Sequence, residues 1–296
     1  MKFLQNVTFL TDFGTAGGYV AACEATIVRI SRDARVFHIS HEVPVGDVAA
    51  GALVLARVAP LYPESVHLAV VDPGVGTVRR ALALSTARGD YLVGPDNGLL
   101  LDAAEALGGL TGGWALDAAR VRTTAGLPAG GVSSTFHGRD LFSPATALLA
   151  SGSDPASLGD PLDPVTLVRL EPRSAARVDG GVTAPIIEID RFGNIGLGAD
   201  FEGLTSGAEG SLFLVEVEDD GAPEWTARLA RTYGDLRPGE LGLIQDSWGQ
   251  AALTLNGASA AQCLGVGLGA MVTLTPATGT EMHSAPPARE KPQEED

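Results

Sequence analysis

The sequence has few cysteines, few aromatic side chains and few positive charges for its 296 residues. Its two cysteines, Cys23 and Cys263, are far apart and lie in apolar surroundings. This pattern favours free, buried thiols over a disulfide framework or a zinc site, and it predicts a cytoplasmic protein. Aromatic residues make up only 5% of the chain, so that Ala, Leu and Val must fill the core. A core of this kind suits helices packed on a sheet.

Positive charge is scarce, because 20 Lys and Arg residues stand against 36 Asp and Glu residues, for a formal net charge of −16. Such a surface repels nucleic-acid phosphates and anionic lipid headgroups, so we expect neither as a partner. No uncharged apolar run reaches the roughly 18 residues that a membrane helix needs, and the N-terminus enters a strand without an apolar signal core. Export and membrane insertion are therefore not expected.

A regular alternation of elements is present in the first part of the chain. Short apolar runs that predict strands alternate with Ala-rich amphipathic runs that predict helices, beginning with a strand at 7–11 and a helix at 19–31. The pattern predicts an N-terminal α/β domain at 1–172, with a mainly parallel central sheet covered by helices on both faces. In sheets of this kind, ligands bind at the carboxyl ends of the strands.

The second part of the chain has a different pattern. After a Pro-rich stretch and a predicted linker at 173–182, short alternating strands are joined by Gly, Asp and Asn turns. These strands predict a smaller C-terminal β-barrel domain at 183–278. The charged, Pro-containing segment 279–296 is predicted to be a disordered tail. The chain length also favours two domains.

Three loops of the first domain carry residues that are suited to chemistry. Asp12 follows the first strand, Asp72 lies in a Pro- and Gly-containing loop, and His137 directly precedes a predicted helix. Taken singly, Asp12 fits a helix cap or a turn as well as a ribose-binding carboxylate, and the Asp72 loop fits an ordinary connection between strands. A lone histidine is more often structural. A metal site built from Asp72, His137 and Asp140 has no familiar ligand spacing.

Two polar clusters of the second domain also follow strand ends. They are Asp190 to Asn194, at a strand-turn-strand junction, and Gln245 to Gly249, before another strand. Turn chemistry alone explains most of these residue types. Only their combination with the loops of the first domain suggests a functional site.

Six segments, taken together, carry a resemblance to a known family. They are Thr11-Asp-Phe-Gly14, Val71-Asp-Pro-Gly-Val-Gly76, Gly94-Pro-Asp-Asn-Gly98, Thr135-Phe-His-Gly-Arg-Asp140, Asp190-Arg-Phe-Gly-Asn194 and Asn256-Gly-Ala-Ser-Ala-Ala261. In this order they resemble the S-adenosyl-L-methionine hydroxide adenosyltransferase family, whose relatives include fluorinase and chlorinase. The resemblance implies an N-terminal α/β domain and a C-terminal β-barrel. It also implies a homotrimer in which the substrate lies between one subunit's first domain and a neighbour's second.

The resemblance further implies an activity and a set of site residues. The family hydrolyses S-adenosyl-L-methionine to adenosine and L-methionine without a metal or other cofactor. Its Asp, Arg and His triad, which prepares the attacking water, maps onto Asp72, Arg79 and His137. The implied substrate contacts are Asp12 for the ribose hydroxyls, Asp190 for the methionine ammonium, Asn194 for the adenine edge and Ser247 for the methionine carboxylate.

The sequence departs from the family pattern in two places. Relatives often carry an acidic residue where this chain has Ala16-Gly17-Gly18, and Trp248 stands where the halogenating relatives have arginine. Both departures concern the methionine end of the substrate. Two other functions stay open: a protein that binds S-adenosyl-L-methionine without turnover, and a halogenase. The intact triad disfavours the halogenase, since the halogenating relatives lack it.

Overall fold

The computed structural model describes residues 4–128, 131–204, 211–218 and 225–277. The chain divides between Glu171 and Pro172 into two compact units. The predicted disordered tail at 279–296 lies outside the described residues. Within the described ranges, no helix is long and apolar enough to cross a membrane.

A seven-stranded sheet forms the centre of the first unit, as far as this unit is described. Its strands are β1 (Asn6–Thr11), β2 (Arg35–Ser40), β3 (Val66–Val70), β4 (Ala81–Thr86), β5 (Tyr91–Pro95), β6 (Leu110–Leu116) and β7 (Gly159–Pro161). They lie in the order β2-β1-β3-β5-β4-β6-β7. Strands β1, β2, β3, β5 and β6 run in one direction, and β4 and β7 run in the other. The predicted α/β class with a mainly parallel sheet is therefore confirmed.

Helices cover both faces of this sheet. They are α1 (Tyr19–Ile30), α2 (Val48–Val58), α3 (Leu101–Ala106), α4 (Ala118–Thr124) and α5 (Ser143–Ala150). Phe9 and Leu10 are neighbours on β1 and belong to two separate apolar clusters, because successive side chains of a strand point to opposite faces. The Phe9 cluster includes residues of α1 and α5, and the Leu10 cluster includes residues of α2 and α3. Burial on both faces explains the continuous apolar runs of the central strands.

The strand order brings separate segments of the chain to one edge of the sheet. Strands β1 and β3 are parallel neighbours with Thr11 opposite Val70, so Asp12 and Asp72 leave the sheet at the same edge. Strand β4 runs antiparallel to β5 and begins at this edge, which places Arg79 there as well. The topology thus gathers two carboxylates and a guanidinium at the carboxyl ends of the parallel strands.

A π-helical turn, Gly138–Phe142, connects His137 to α5. Such turns are rare and occur frequently at functional sites. Gly138 lies against the Phe13 ring, and a Cβ atom at this position would lie 3.1 Å from that ring. The glycine therefore allows the turn to approach the Asp12 loop closely.

The described part of the second unit is built from strands and two short α-helices. Its elements are β8 (Ala176–Val178), β9 (Gly181–Ile189), β10 (Ile195–Asp200), α6 (Phe201–Leu204), β11 (Leu212–Val217), β12 (Trp225–Leu229), β13 (Leu241–Gln245), β14 (Gln250–Leu255), α7 (Ala260–Leu264) and β15 (Met271–Pro276). In the described part of this unit, strands β9 to β15 lie in the order β10-β14-β13-β12-β11-β15-β9, and β9 also pairs with β10. This last pairing closes the sheet, which confirms the predicted C-terminal β-barrel.

The segment predicted as a linker, 173–182, contains one of these strands. Strand β8 pairs antiparallel with the beginning of β9, with Ala176 opposite Thr183 and Val178 opposite Gly181. The Ala175 amide also donates to the Gly198 carbonyl over 2.7 Å. The segment therefore belongs to the barrel sheet, where its side chains remain exposed.

Both cysteines are free, as predicted. Cys23 is buried, and burial raises the pKa of its thiol to about 12. Cys263 is only partly buried, which differs from the prediction. The reason is its place on α7, where Ala260, Ala261 and Leu264 are buried and Cys263 lies beside that face.

Candidate active site

A cleft of about 250 Å³ opens at the edge of the first unit's sheet, where β1 and β3 end. Asp12, Asp72 and His137 all line this cleft. The structure therefore brings together the three loops that the sequence singled out, although the loops are far apart along the chain.

Asp72, Arg79 and His137 form a continuous hydrogen-bonded chain. The Arg79 Nε atom lies 3.0 Å from Asp72 Oδ1 and 3.1 Å from Oδ2, and Arg79 Nη2 also donates to Oδ2. The same Nη2 atom lies 2.9 Å from His137 Nδ1. The Nε–Nη2 edge of the guanidinium thus binds the carboxylate, and Nη2 also contacts the imidazole. Arg79 therefore fixes the positions of Asp72 and His137 relative to each other.

The ion pair in this chain is shielded from solvent. The Asp72 side chain is 6% exposed and that of Arg79 is 11% exposed. The Arg79 guanidinium also lies over the Phe142 ring, 5.1 Å from its centroid. A largely shielded, bidentate pair with an aromatic contact keeps its orientation better than an exposed ion pair.

The protonation state of His137 follows from its partner. A guanidinium has no acceptor, so His137 Nδ1 must accept the hydrogen bond and the ring proton must lie on Nε2. Burial and the positive charge of Arg79 lower the pKa of His137 below its ordinary value, although Asp72 and Asp140 act in the opposite direction. The ring is therefore neutral near pH 7, with an N–H group on Nε2.

Asp140 does not join this chain. Its carboxylate accepts from Arg139 Nε at 2.7 Å and from Arg139 Nη2 at 2.8 Å, and it also accepts from the Ser133 amide at 2.9 Å. These bonds hold the loop that precedes His137. Among the described residues, no group of three or more His, Cys, Asp or Glu side chains is arranged to hold a metal ion.

Asp12 lines the same cleft. Its Oδ2 atom accepts from the Gly46 amide at 2.8 Å, which fixes the orientation of the carboxylate. Beside it, Phe13, Tyr19 and Phe136 form an aromatic wall, with ring centroids of Tyr19 and Phe136 5.1 Å apart. Sequence reasoning missed this wall. The available signal was that Phe13 follows Asp12 and Phe136 precedes His137.

The second unit has a cleft of its own, of about 640 Å³, which Asp190 and Asn194 line. Asp190 Oδ1 accepts from the amides of Phe192 and Asn194 at 2.8 and 2.9 Å, and Asp190 Oδ2 accepts from Asn194 Nδ2 at 2.7 Å. Thr254 donates to Asn194 Oδ1 at 2.6 Å. These bonds fix the oxygen and nitrogen ends of the Asn194 amide, and each end has capacity for a further hydrogen bond.

Ser247 lies apart from that lining. It is exposed in the turn between β13 and β14, beside Trp248, whose side chain is 45% exposed. The Trp248 amide donates to Asp246 Oδ1 at 2.8 Å, which is the hydrogen bond of an Asx-turn. The second unit therefore groups Asp190 with Asn194 and presents Ser247 separately.

The fold and the first cleft define an α/β protein with a fixed Asp–Arg–His chain at the carboxyl ends of its strands, coupled in sequence to a β-barrel unit. A shielded charged chain that faces a cleft is an arrangement expected of an enzyme. Sequence comparison places the chain within this class. The chain belongs to the S-adenosyl-L-methionine hydroxide adenosyltransferase family, because the family's N-terminal domain matches residues 7–159 and its C-terminal domain matches residues 184–273.

Individual relatives agree with this assignment. The chain is 45% identical over 269 residues to an (R)-S-adenosyl-L-methionine hydrolase of Salinispora tropica, which covers 91% of this chain and 97% of that protein. It is 26% identical to a fluorinase of Actinoplanes sp., over 92% of this chain and 97% of that protein. The crystal structure of an uncharacterized conserved protein from Thermotoga maritima matches with a TM-score of 0.81 and 32% identity, over 91% of this chain and 99% of that one.

Proposed function

We propose that the protein hydrolyses S-adenosyl-L-methionine to adenosine and L-methionine by attack of water, in its hydroxide form, on the 5′ carbon of the ribose. The observation that carries this proposal is the Asp72–Arg79–His137 chain, whose two ends, Asp72 and His137, line one cleft with Asp12. The hydrolases among the relatives support the choice of reaction and substrate.

The reaction needs little acid catalysis. The attacking oxygen forms a bond to the 5′ carbon while the bond from that carbon to sulfur breaks, and the electron pair of the broken bond stays on sulfur. The leaving group is a neutral thioether, so no proton has to be supplied to it. The water proton passes to solvent, and each turnover releases one proton. The difficult requirement is a strong oxygen nucleophile aligned with the carbon–sulfur bond.

Arg79 and His137 meet this requirement as hydrogen-bond donors. The Nε2–H group of His137 and the Arg79 guanidinium favour hydroxide over water, because both stabilise negative charge on the bound oxygen. Asp72 orients Arg79 through the paired hydrogen bonds and balances its charge. In the transition state, the charges of hydroxide and sulfonium neutralise each other, so a cleft with few waters favours the reaction.

The substrate contacts extend the proposal to both units. Asp12 accepts hydrogen bonds from the two ribose hydroxyls, and Asn194 forms hydrogen bonds with the adenine edge. At the methionine end, Asp190 binds the ammonium group and Ser247 binds the carboxylate. The cleft of the first unit, at about 250 Å³, is smaller than the roughly 300–1,000 Å³ of a typical ligand pocket. This supports a second wall, which we assign to the second unit of a neighbouring subunit in a homotrimer.

The cellular setting is part of the same proposal. Cys23 and Cys263 are free, which supports a reducing compartment, and we place the activity in the cytoplasm. The protein needs no metal in this mechanism, because Arg79 provides the positive charge beside the nucleophile. Dialysis against EDTA is expected to leave turnover unchanged, whereas a metallohydrolase would lose it.

Product analysis tests the proposal. Purified protein and S-adenosyl-L-methionine are expected to give adenosine and L-methionine in equal amounts, with one proton released for each adenosine formed. A folded protein that binds S-adenosyl-L-methionine but releases neither product would instead be a binding protein. Formation of 5′-chloro-5′-deoxyadenosine in proportion to added chloride would assign a halogenase.

A further inference from the structure

The loop that carries Asp12 makes a hydrogen bond to His41 on each side of this residue. The Thr11 hydroxyl, one residue before Asp12, lies 2.8 Å from His41 Nδ1. The Gly14 amide, two residues after Asp12, donates to the His41 carbonyl over 2.7 Å. The Phe13 amide donates to the same Thr11 hydroxyl at 3.2 Å. The main chain on either side of the carboxylate therefore depends on one histidine.

The same segment also holds the Asp12 side chain. Gly46, five residues after His41, donates its amide to Asp12 Oδ2. The segment from His41 to Gly46 thus sets the position of the loop and the orientation of its carboxylate together. A shift of His41 would move both.

The His41 ring is itself held in a defined environment. It is buried and packs edge-on against Phe9, with ring centroids 4.9 Å apart. Its Nε2 atom lies 2.8 Å from His38 Nδ1, and His38 Nε2 lies 3.7 Å from Glu24 Oε2. Burial, followed by the neighbouring His38, lowers the pKa of His41 to about 4, so the ring is neutral near pH 7.

An arrangement of protons exists in which Thr11, His41 and His38 each donate to the next group, ending at Glu24. Thr11 donates its hydroxyl proton to His41 Nδ1, and His41 donates from Nε2 to His38 Nδ1. His38 then presents its own N–H to Glu24. In this arrangement, the Thr11 oxygen remains an acceptor for the Phe13 amide, which agrees with the observed contact.

We infer that His41 is a positioning residue for ribose recognition, which holds the Asp12 carboxylate in place through the Thr11 hydroxyl. The inference rests on the proposed function, because it takes the ribose hydroxyls as the ligand of Asp12. His41 itself touches no part of the substrate in this assignment. Its effect is therefore on binding of the ribose and not on attack at the 5′ carbon.

The chain offers a matched control for testing this inference. Thr8 lies on the same strand as Thr11, is also fully buried and makes an equivalent bond to a histidine, with Thr8 Oγ1 2.7 Å from His67 Nδ1. Thr8 lies outside the lining of the Asp12 cleft. Thr11→Val and Thr8→Val each remove one buried Thr–His hydrogen bond without changing side-chain shape. Thr11→Val also removes the bond from the Phe13 amide, so variants of His41 that keep Thr11 complete the test. A purely structural role would make the two variants alike in ligand binding.

The experiment is a calorimetric titration of the full chain with adenosine and with 2′,3′-dideoxyadenosine, which lacks the two ribose hydroxyls. Thr11→Val is expected to weaken adenosine binding about tenfold, because a misplaced Asp12 carboxylate loses part of its charged hydrogen bonds to the ribose hydroxyls. It should leave dideoxyadenosine binding unchanged, and Thr8→Val should change neither. In turnover, Thr11→Val should raise KM for S-adenosyl-L-methionine while kcat stays within about twofold.

Equal losses for both ligands, or the same adenosine-specific loss in Thr8→Val, would overturn the inference.

A second pair of variants leaves Thr11 intact. His41→Asn keeps a polar group near Nδ1 and should retain adenosine binding, whereas His41→Leu should lose it. Asp12→Asn is titrated in parallel. If Asp12→Asn leaves adenosine binding unchanged, the ribose assignment fails and the inference fails with it. If Asp12→Asn weakens binding and Thr11→Val does not, only the role of His41 is wrong.

Discussion

Arg79 Nη2 and His137 Nδ1 lie 2.9 Å apart, and this contact determines which nitrogen of His137 carries the proton. Because the guanidinium can only donate, the free position of the imidazole is an N–H donor on Nε2. A general base at this position would need a lone pair there instead. In the proposed mechanism, His137 is therefore a donor to the hydroxide oxygen and not a base that removes a proton from water.

Variants of His137 separate these two roles. His137→Ala is expected to lower kcat about 100-fold, in the range seen when one donor to a developing or bound oxyanion is removed. His137→Gln can place an amide N–H near the position of Nε2, and it should be about tenfold more active than His137→Ala. Steady-state kinetics with S-adenosyl-L-methionine check this order. Equal loss in the two variants would favour a general base.

The titration of His137 provides a second prediction. Since burial and Arg79 lower its pKa, His137 should titrate below its ordinary value of 6.5. Acidification through this lower pKa adds a proton to Nδ1, which faces the positively charged guanidinium of Arg79. Arg79→Gln removes the charge that contributes to this lowering, so the pKa of His137 should rise. Proton NMR of the imidazole C–H signals, assigned with a His137→Gln variant, measures the shift. A pKa that is unchanged by Arg79→Gln would contradict the contact.

Asp72 should matter for catalysis more than a similar ion pair next to it. Asp72→Asn weakens the fork that orients Arg79, and we expect kcat to fall about 100-fold with a small change in KM. Asp96→Asn is the control, because Asp96 binds the neighbouring Arg80 at 2.6 Å outside the lining of the cleft. That variant should lower the unfolding temperature and leave kcat nearly unchanged. The prediction fails if both variants lose activity equally.

Subunit complementation tests the proposed interfacial site. A His137→Ala chain and an Asn194→Ala chain are each expected to be nearly inactive. If one site combines the first unit of one subunit with the second unit of another, mixed trimers contain sites with both surfaces intact. Random mixing of equal amounts should restore roughly a quarter of wild-type activity. Sequential affinity purification through a different tag on each variant isolates the mixed trimers, and no recovery of activity in them would place the whole site on one chain.

Sequence reasoning predicted the parts of the fold that are set by hydrophobic pattern. Strand β3 is a continuous apolar run, a pattern that predicts a strand of a sheet covered on both faces. Strand β6, with the sequence Leu-Thr-Gly-Gly-Trp-Ala-Leu, was missed because Gly112 and Gly113 weaken the strand pattern. Strand β8 was missed because its three residues are exposed and it is held only by pairing with β9.

The candidate site was predictable in its residue types but not in its connections. The strand ends pointed to Asp12 and Asp72, since parallel strands present their carboxyl ends at one edge. No local pattern could show that Arg79 bridges Asp72 and His137, because that contact depends on β4 running antiparallel beside β5. His41 was likewise not singled out, as its role comes from the packing of the 41–46 segment against the Asp12 loop.

The most direct measurement of the central claim follows the oxygen atom. S-adenosyl-L-methionine is turned over in water labelled with the heavy isotope of oxygen, and the adenosine product is analysed by mass spectrometry with fragmentation of the ribose. We expect the label at the 5′ position of adenosine and none in methionine. Unlabelled adenosine, or label located elsewhere in the products, would contradict attack of an enzyme-bound hydroxide on the 5′ carbon.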